Sequence, residues 1–191
     1  RYRKTRHKIV ETRRKFGDAA VEAFDRPGEW VTVNGKVSFR FGRTAGFEAL
    51  VMRLPSGRQL VYPQARVVTK QVVADVLTEN EAGEIVLERR TFDAKSVEYY
   101  GQRPMSVQWG TIDTHGAKLF ENACQATAGD FLTNGVLLAE KAGFKIPMVI
   151  HDQALAVHEP EKGLTLDLFM EKMTTLPTWA QDFPLKAEAN L

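Results

Sequence analysis

The chain has 191 residues, 43% hydrophobic and 26% charged, an ordinary soluble composition with length for one domain and a real core. Its one cysteine excludes an internal disulfide and points to a reducing compartment. No apolar run approaches the roughly 20 residues needed to span a bilayer. No secretory leader is recognisable and the first residue is not Met, which points to a fragment or a processed product.

The net charge of +2 conceals an asymmetry: residues 1–15 carry eight basic side chains against Glu11, leaving 18 basic and 23 acidic residues for the rest. This basic head, which includes Arg3, Lys4 and Arg6, is a candidate phosphate-binding segment. A solvated helix face would carry the same charges. Helix-forming residues run from Lys4 to Phe24, with Ile9, Phe16, Ala20 and Phe24 as an apolar stripe, and Arg26-Pro27-Gly28 ends the run.

Trp30 to Phe41 reads as a hairpin, because Asn34-Gly35 supplies two turn positions that tolerate positive φ. Phe47–Leu54 and Gln59–Tyr62 form a second pair around Pro55-Ser56-Gly57. Arg66–Leu77 and Ile85–Phe92 form a third across the polar turn Glu79–Gly83, and Val97–Trp109 is aromatic and extended. Lys118–Lys141 contains no proline and stops at Gly143, as a long helix does. On it Phe120, Cys124, Phe131 and Leu138 share an apolar face, so Cys124 reads as packing. Lys118, Asn122, Gln125 and Gly129 share a polar one.

Ile146–Ile150 has the β-branched content of a buried strand, and Ala154–Val157 reads as its partner. His151-Asp152-Gln153 then occupies a hairpin tip, where a carboxylate can enter a cleft and where an ordinary turn residue would equally sit. Leu164–Met173 is a short helix before the tail. The predicted fold is α+β, a mostly antiparallel sheet with one long helix. It is read as a single domain over 1–191: a basic helix (1–28), a β-rich stretch (30–110), then helix, hairpin and tail (115–191).

Five blocks resemble family A DNA polymerases, the polymerase I type, and most closely the phage-like branch. Val149-Ile150-His151-Asp152-Gln153 is similar to motif C, usually Val-His-Asp-Glu. Gln125-Ala-Thr-Ala-Gly-Asp130 resembles the family's Gln-Ala-Thr-Ala-Arg-Asp helix. Asp113-Thr-His-Gly-Ala-Lys-Leu-Phe-Glu-Asn122 resembles Asp-Thr-Tyr-Gly-Gly-Lys-Leu-x-Glu-Asn. Leu54-Pro-Ser-Gly-Arg-Gln-Leu-Val-Tyr62 and the tail Leu176–Glu188 fit the same branch.

The resemblance implies the palm region after the fingers, in a DNA-directed DNA polymerase of the bacterial or phage-infected cytoplasm. It makes His151, Asp152 and Gln153 the catalytic motif and Asp152 one of two aspartates that hold a pair of Mg²⁺ ions. It implies primer-template DNA and dNTP as partners, with Asn122, Gln125 and Lys118 on the DNA. Side-chain amides can donate to the minor-groove acceptors common to every base pair. Motif A and motif B have no match here, so half the metal site and most of the dNTP site belong to a preceding segment or a split partner.

Gln153 departs from the usual Glu and removes a negative charge, which implies altered activity and not a dead site. The alternative reading is a catalytically incomplete nucleic-acid-binding module or polymerase remnant. Arg89-Arg90 with Lys95 and Tyr99-Tyr100-Gly101 superficially resembles the helical motif B. Its spacing is wrong and its residues favour strand.

Overall fold

The computed structural model describes residues 7–79, 85–103 and 105–191. Every strand pairing among them is antiparallel, and three α-helices accompany the strands. The fold is therefore α+β. The backbone gathers into two compact units. One comprises Arg1–Arg53 and Gln59–Glu121, the other Leu54–Arg58 and Asn122–Leu191. Positions 80–83 of the predicted Glu79–Gly83 turn lie outside the described residues.

In the first unit, α1 (His7–Asp25) lies on a four-stranded sheet of β1 (Val31–Val33), β2 (Val37–Thr44), β3 (Phe47–Arg53) and β4 (Gln59–Pro63), in that order. The helix buries Phe16, Ala19, Ala20 and Ala23, one stripe at helical spacing. Phe16 meets Phe39 edge-on at 5.7 Å, and Phe24 stacks on Phe41 at 4.3 Å. The β1–β2 turn uses Asn34 and Gly35, both at positive φ, and Lys36 N–H donates to the Val33 carbonyl, as a two-residue hairpin turn of the primed kind requires.

A second sheet joins β5 (Arg66–Glu79), β6 (Ile85–Gln102) and β7 (Trp109–Thr114). β6 runs ten residues past the predicted end at Phe92, and its extension pairs with β7 through Val97↔Thr114 to Gln102↔Trp109. Arg89, Arg90, Lys95, Tyr99 and Tyr100 thus lie in a strand, consistent with rejecting motif B there. Further out on the β5–β6 ribbon, Val73, Leu87 and Phe92 are exposed.

The long helix α2 (Gly116–Lys141) begins against α1. A Cβ on Gly116 would lie 2.1 Å from the Arg13 carbonyl oxygen and 2.7 Å from the Gly17 nitrogen, so only glycine admits this approach. Phe120 meets Phe16 edge-on at 5.3 Å. Cys124 is exposed, contrary to the sequence reading. The buried stripe runs through Leu119, Ala123, Phe131, Gly135 and Ala139, and Cys124 stands one residue, about 100°, around the helix from it.

In the second unit the helix ends at Gly143 (φ +104°). Phe144 N–H donates to the Ala139 carbonyl and Gly143 N–H to that of Glu140, the paired bonds of a Schellman stop. Phe144 then packs with Ala139 and Leu164. The helix α3 (Leu166–Thr174) is capped by Thr165, whose hydroxyl accepts from Leu168 N–H. It therefore starts two residues later than predicted. Its Met173 backbone approaches Gly135 so closely that a Cβ there would be 3.0 Å away. Trp179 and Phe183 of the tail close over Phe131 at 4.8 and 4.6 Å.

The turn Leu54–Arg58 belongs to this unit because Asp130 holds it. Pro55 opens the turn, Gly57 N–H donates to the Leu54 carbonyl, and Gly57 takes φ +88°, the chemistry of a type I turn followed by a left-handed residue. Ser56 Oγ and Arg58 Nε each donate to the Asp130 carboxylate at 2.6 Å, and an Arg58 Nη donates to the Ala126 carbonyl at 2.6 Å.

Two outcomes are expected. Gly116→Ala overpacks the α1–α2 crossing and should cost about 3 kcal/mol, read as a lower urea midpoint at unchanged m. Asp130→Ala strands Ser56 and Arg58 and should cost about 2 kcal/mol. Adding Arg58→Ala to it should cost little more, because the two side chains act as one unit.

Candidate functional site

The site is built on a small hairpin of β8 (Met148–Ile150) and β9 (Gln153–Leu155), paired Met148↔Leu155, Val149↔Ala154 and Ile150↔Gln153. Only His151 and Asp152 remain for the turn. His151 takes φ +54°, a left-handed conformation that costs an L-residue roughly 1–2 kcal/mol. His151, Asp152 and Gln153 are all exposed. The sequence-predicted placement of Asp152 at a hairpin tip therefore holds, with a tighter turn than the triplet suggested.

The strands are not the buried pair that their apolar content predicts. Met148, Val149, Ile150 and Leu155 are 47–60% exposed. β8 is exposed along its whole length, and periodicity alone cannot tell a buried run from one left open. The base is what anchors the hairpin: Val157 N–H donates to the Lys145 carbonyl at 2.9 Å. Ile146 and Ala156 pack on the Ala139–Phe144–Leu164 core, with Leu168 and Phe169 of α3 beside them. Asp152 and Gln153 line a cavity of about 550 Å³ together with Thr165, Phe169, Met173 and Lys186.

The polar residues of α2 lie where helical spacing puts them. Lys118, Gln125 and Gly129 are exposed and Asn122 is half-buried. Lys118 pairs with Glu121 at 3.1 Å, an exposed pair that competes weakly for the ammonium. Nothing lies within 4 Å of a Cβ built on Gly129, so the surface beside it is open. Gln125 is not part of the lining around Asp152. Arg3, Lys4 and Arg6, the sequence candidates for DNA contact in the basic head, lie outside the described residues.

The two other acids of the sequence blocks are engaged elsewhere. Asp130 holds Ser56 and Arg58, with its side chain only 13% exposed. Asp113 on β7 pairs with Lys70 on β5, which also meets Glu98 on β6 at 3.2 Å, while Arg66 meets Glu98 at 2.9 Å. The hydrogen bond from Lys70 holds the Asp113 carboxyl below its ordinary value, and Asp113 in turn raises the Lys70 amine.

Among the described residues no group of three or more His, Cys, Asp or Glu is placed to hold a metal ion. The donor at the turn is one exposed carboxylate beside a carboxamide oxygen. That is hard-oxygen chemistry suited to Mg²⁺, which takes one or two protein carboxylates and keeps water and phosphate as its other ligands. Residues that sequence reasoning did not single out are Ser56 and Arg58. Their signal was present as a serine and an arginine in one block and an aspartate in another, but no spacing rule joins positions so far apart in the chain. No described helix is long and apolar enough to cross a membrane.

No family model matches the chain, and no solved structure matches it. It is 31% identical over 154 residues to the DNA polymerase of Bacillus phage SP02, an alignment covering 80% of this chain and 20% of that protein. The chain thus spans about a fifth of the length of the curated relative it matches. Over that span the sequence is related to a phage DNA polymerase.

Proposed function

We propose that this chain is the C-terminal palm portion of a family A DNA-directed DNA polymerase and serves template-directed addition of deoxynucleotides in DNA replication. One observation carries the reading: Asp152, in the motif C-like block, stands exposed at a two-residue hairpin turn in a chain related to a phage DNA polymerase.

In this reading Asp152 is the chain's ligand to a Mg²⁺ pair, with the second carboxylate supplied by the segment bearing motif A. When bound, the two ions activate the primer 3′-hydroxyl and neutralise charge on the transferring phosphoryl group. The work of this chain's residues is positional. The hairpin turn holds the Asp152 carboxylate outward, with His151 and Gln153 on either side of it. Asn122 and Gln125 donate to minor-groove acceptors present in every base pair, which grips the duplex without reading sequence. Lys118 and the basic head, Arg3, Lys4 and Arg6, neutralise backbone phosphates. The dNTP and the fingers contacts come with motif B from the missing segment. The basic head and the polar face of α2, beside a single carboxylate at the hairpin turn, favour a second reading, a nucleic-acid-binding module without catalysis.

Joined to a segment bearing motifs A and B, the chain should extend a primer in Mg²⁺. Asp152→Asn should lower the rate by ~100-fold or more with little change in DNA affinity, as loss of a metal-site group does, and Gln153→Glu should retain or raise it. Primer extension checks both, and full activity in Asp152→Asn would remove Asp152 from the metal site. The isolated chain should bind duplex DNA weakly and without sequence preference, its affinity falling steeply with salt as counterions are released. Sequence-selective binding in a salt titration would count against the reading.

A further inference from the structure

The four-stranded sheet of the first unit has two unlike faces. One carries Phe39 and Phe41 and is covered by α1. The other carries Thr32, Ser38, Arg40, Val51 and Arg53, as the register Thr32↔Ser38, Ser38↔Arg53 and Arg40↔Val51 requires. On this second face both guanidiniums lie over a single indole. Arg40 Cζ is 4.7 Å and Arg53 Cζ 4.3 Å from the Trp30 ring centroid.

Among the described residues neither arginine has a carboxylate partner. The four strands contain one acid, Glu48, and it pairs in register with Arg43 on the face opposite Arg40. Thr32 and Ser38 hydroxyls meet at 3.0 Å on the same face as the arginines. Two like charges gathered on one aromatic ring repel each other, and cation–π attraction of about 1 kcal/mol each at an exposed site offsets that only in part. An anion across both would relieve the repulsion. Each guanidinium offers planar paired donors that match a phosphate, and the ring has already restricted their motion, so little ordering cost remains.

We propose that Trp30, Arg40 and Arg53 form a binding site for the phosphodiester backbone of DNA, separate from the polar face of α2. The proposal rests on the reading of this chain as a DNA-polymerase segment only in naming DNA as the source of the phosphate.

The test uses the 191-residue chain with Trp109→Phe and Trp179→Phe, so that Trp30 is the sole indole fluorophore, titrated with duplex DNA across salt concentrations. Binding should change Trp30 emission. Arg40→Gln with Arg53→Gln should weaken affinity about tenfold and lower the slope of log affinity against log salt by about 2, roughly one unit for each phosphate no longer neutralised. Arg40→Lys with Arg53→Lys should keep the slope and lose affinity a few-fold, because the charge remains and the planar fork does not. Circular dichroism establishes that each variant is folded.

If DNA binds equally well with both arginines replaced, this site is refuted while the polymerase reading stands. If the single-tryptophan chain with both arginines intact binds no DNA, yet inorganic pyrophosphate alone shifts Trp30 emission in an Arg40- and Arg53-dependent way, the DNA assignment is refuted and a free-anion site takes its place. If neither ligand moves the emission, the site itself is refuted.

Discussion

The Asp130 carboxylate is the point on which the second unit's construction turns. It is nearly buried on α2, and a nearly buried carboxylate is tolerated only with its acceptors filled. Ser56 and Arg58 fill them at 2.6 Å, and Arg58 spends a further donor on the Ala126 carbonyl. Five residues of a hairpin turn are thereby drawn into the unit built around the later part of α2. Two sequence blocks far apart in the chain thus meet directly. A block of the form Pro-Ser-Gly-Arg therefore has a structural reason here: proline and glycine shape the turn, and serine and arginine tie it to the helix.

Close backbone approach does the rest of the positioning. Gly116 admits the Arg13 carbonyl and Gly17 at the start of α2, and Gly135 admits Met173 of α3 along its length. Each approach trades helix propensity, about 1 kcal/mol per glycine, for a proximity that no side chain allows. Between them a buried stripe of Leu119, Ala123 and Phe131 at helical spacing leaves the opposite side of α2 polar. Lys118, Gln125 and Gly129 lie exposed on that side because the buried side is already determined by Ala123, Phe131 and Ala139.

Much of this was legible in the sequence wherever the signal is local. Asn34-Gly35, Gly57 and Gly143 mark turns or stops because their backbone conformations exclude most residues, and the two-strand motif around Asp152 follows from apolar runs flanking polar residues. What was not legible depends on partners remote in sequence. β6 continues past Phe92 because β7 is there to pair with it. Cys124 is exposed because the buried stripe is set by what packs on α2, and a shift of one residue turns the face by about 100°. The apolar strands of the small hairpin are exposed because composition records a preference for burial and supplies no layer to bury against.

That exposure bears directly on what the hairpin is for. A hairpin of two three-residue strands contributes little stability of its own. This one adds a left-handed histidine at the turn and leaves Met148, Val149, Ile150 and Leu155 in water. A polar loop of the same length would join α2 to α3 without either cost. What the hairpin adds over such a loop is geometry: two paired strands anchored at Ile146 and Ala156, and a turn short enough to fix Asp152 at its apex. Backbone strain clusters at functional sites, and here the anchored strands and the left-handed His151 together fix the turn that carries Asp152. Both features suit a carboxylate held outward, as the role proposed for Asp152 requires.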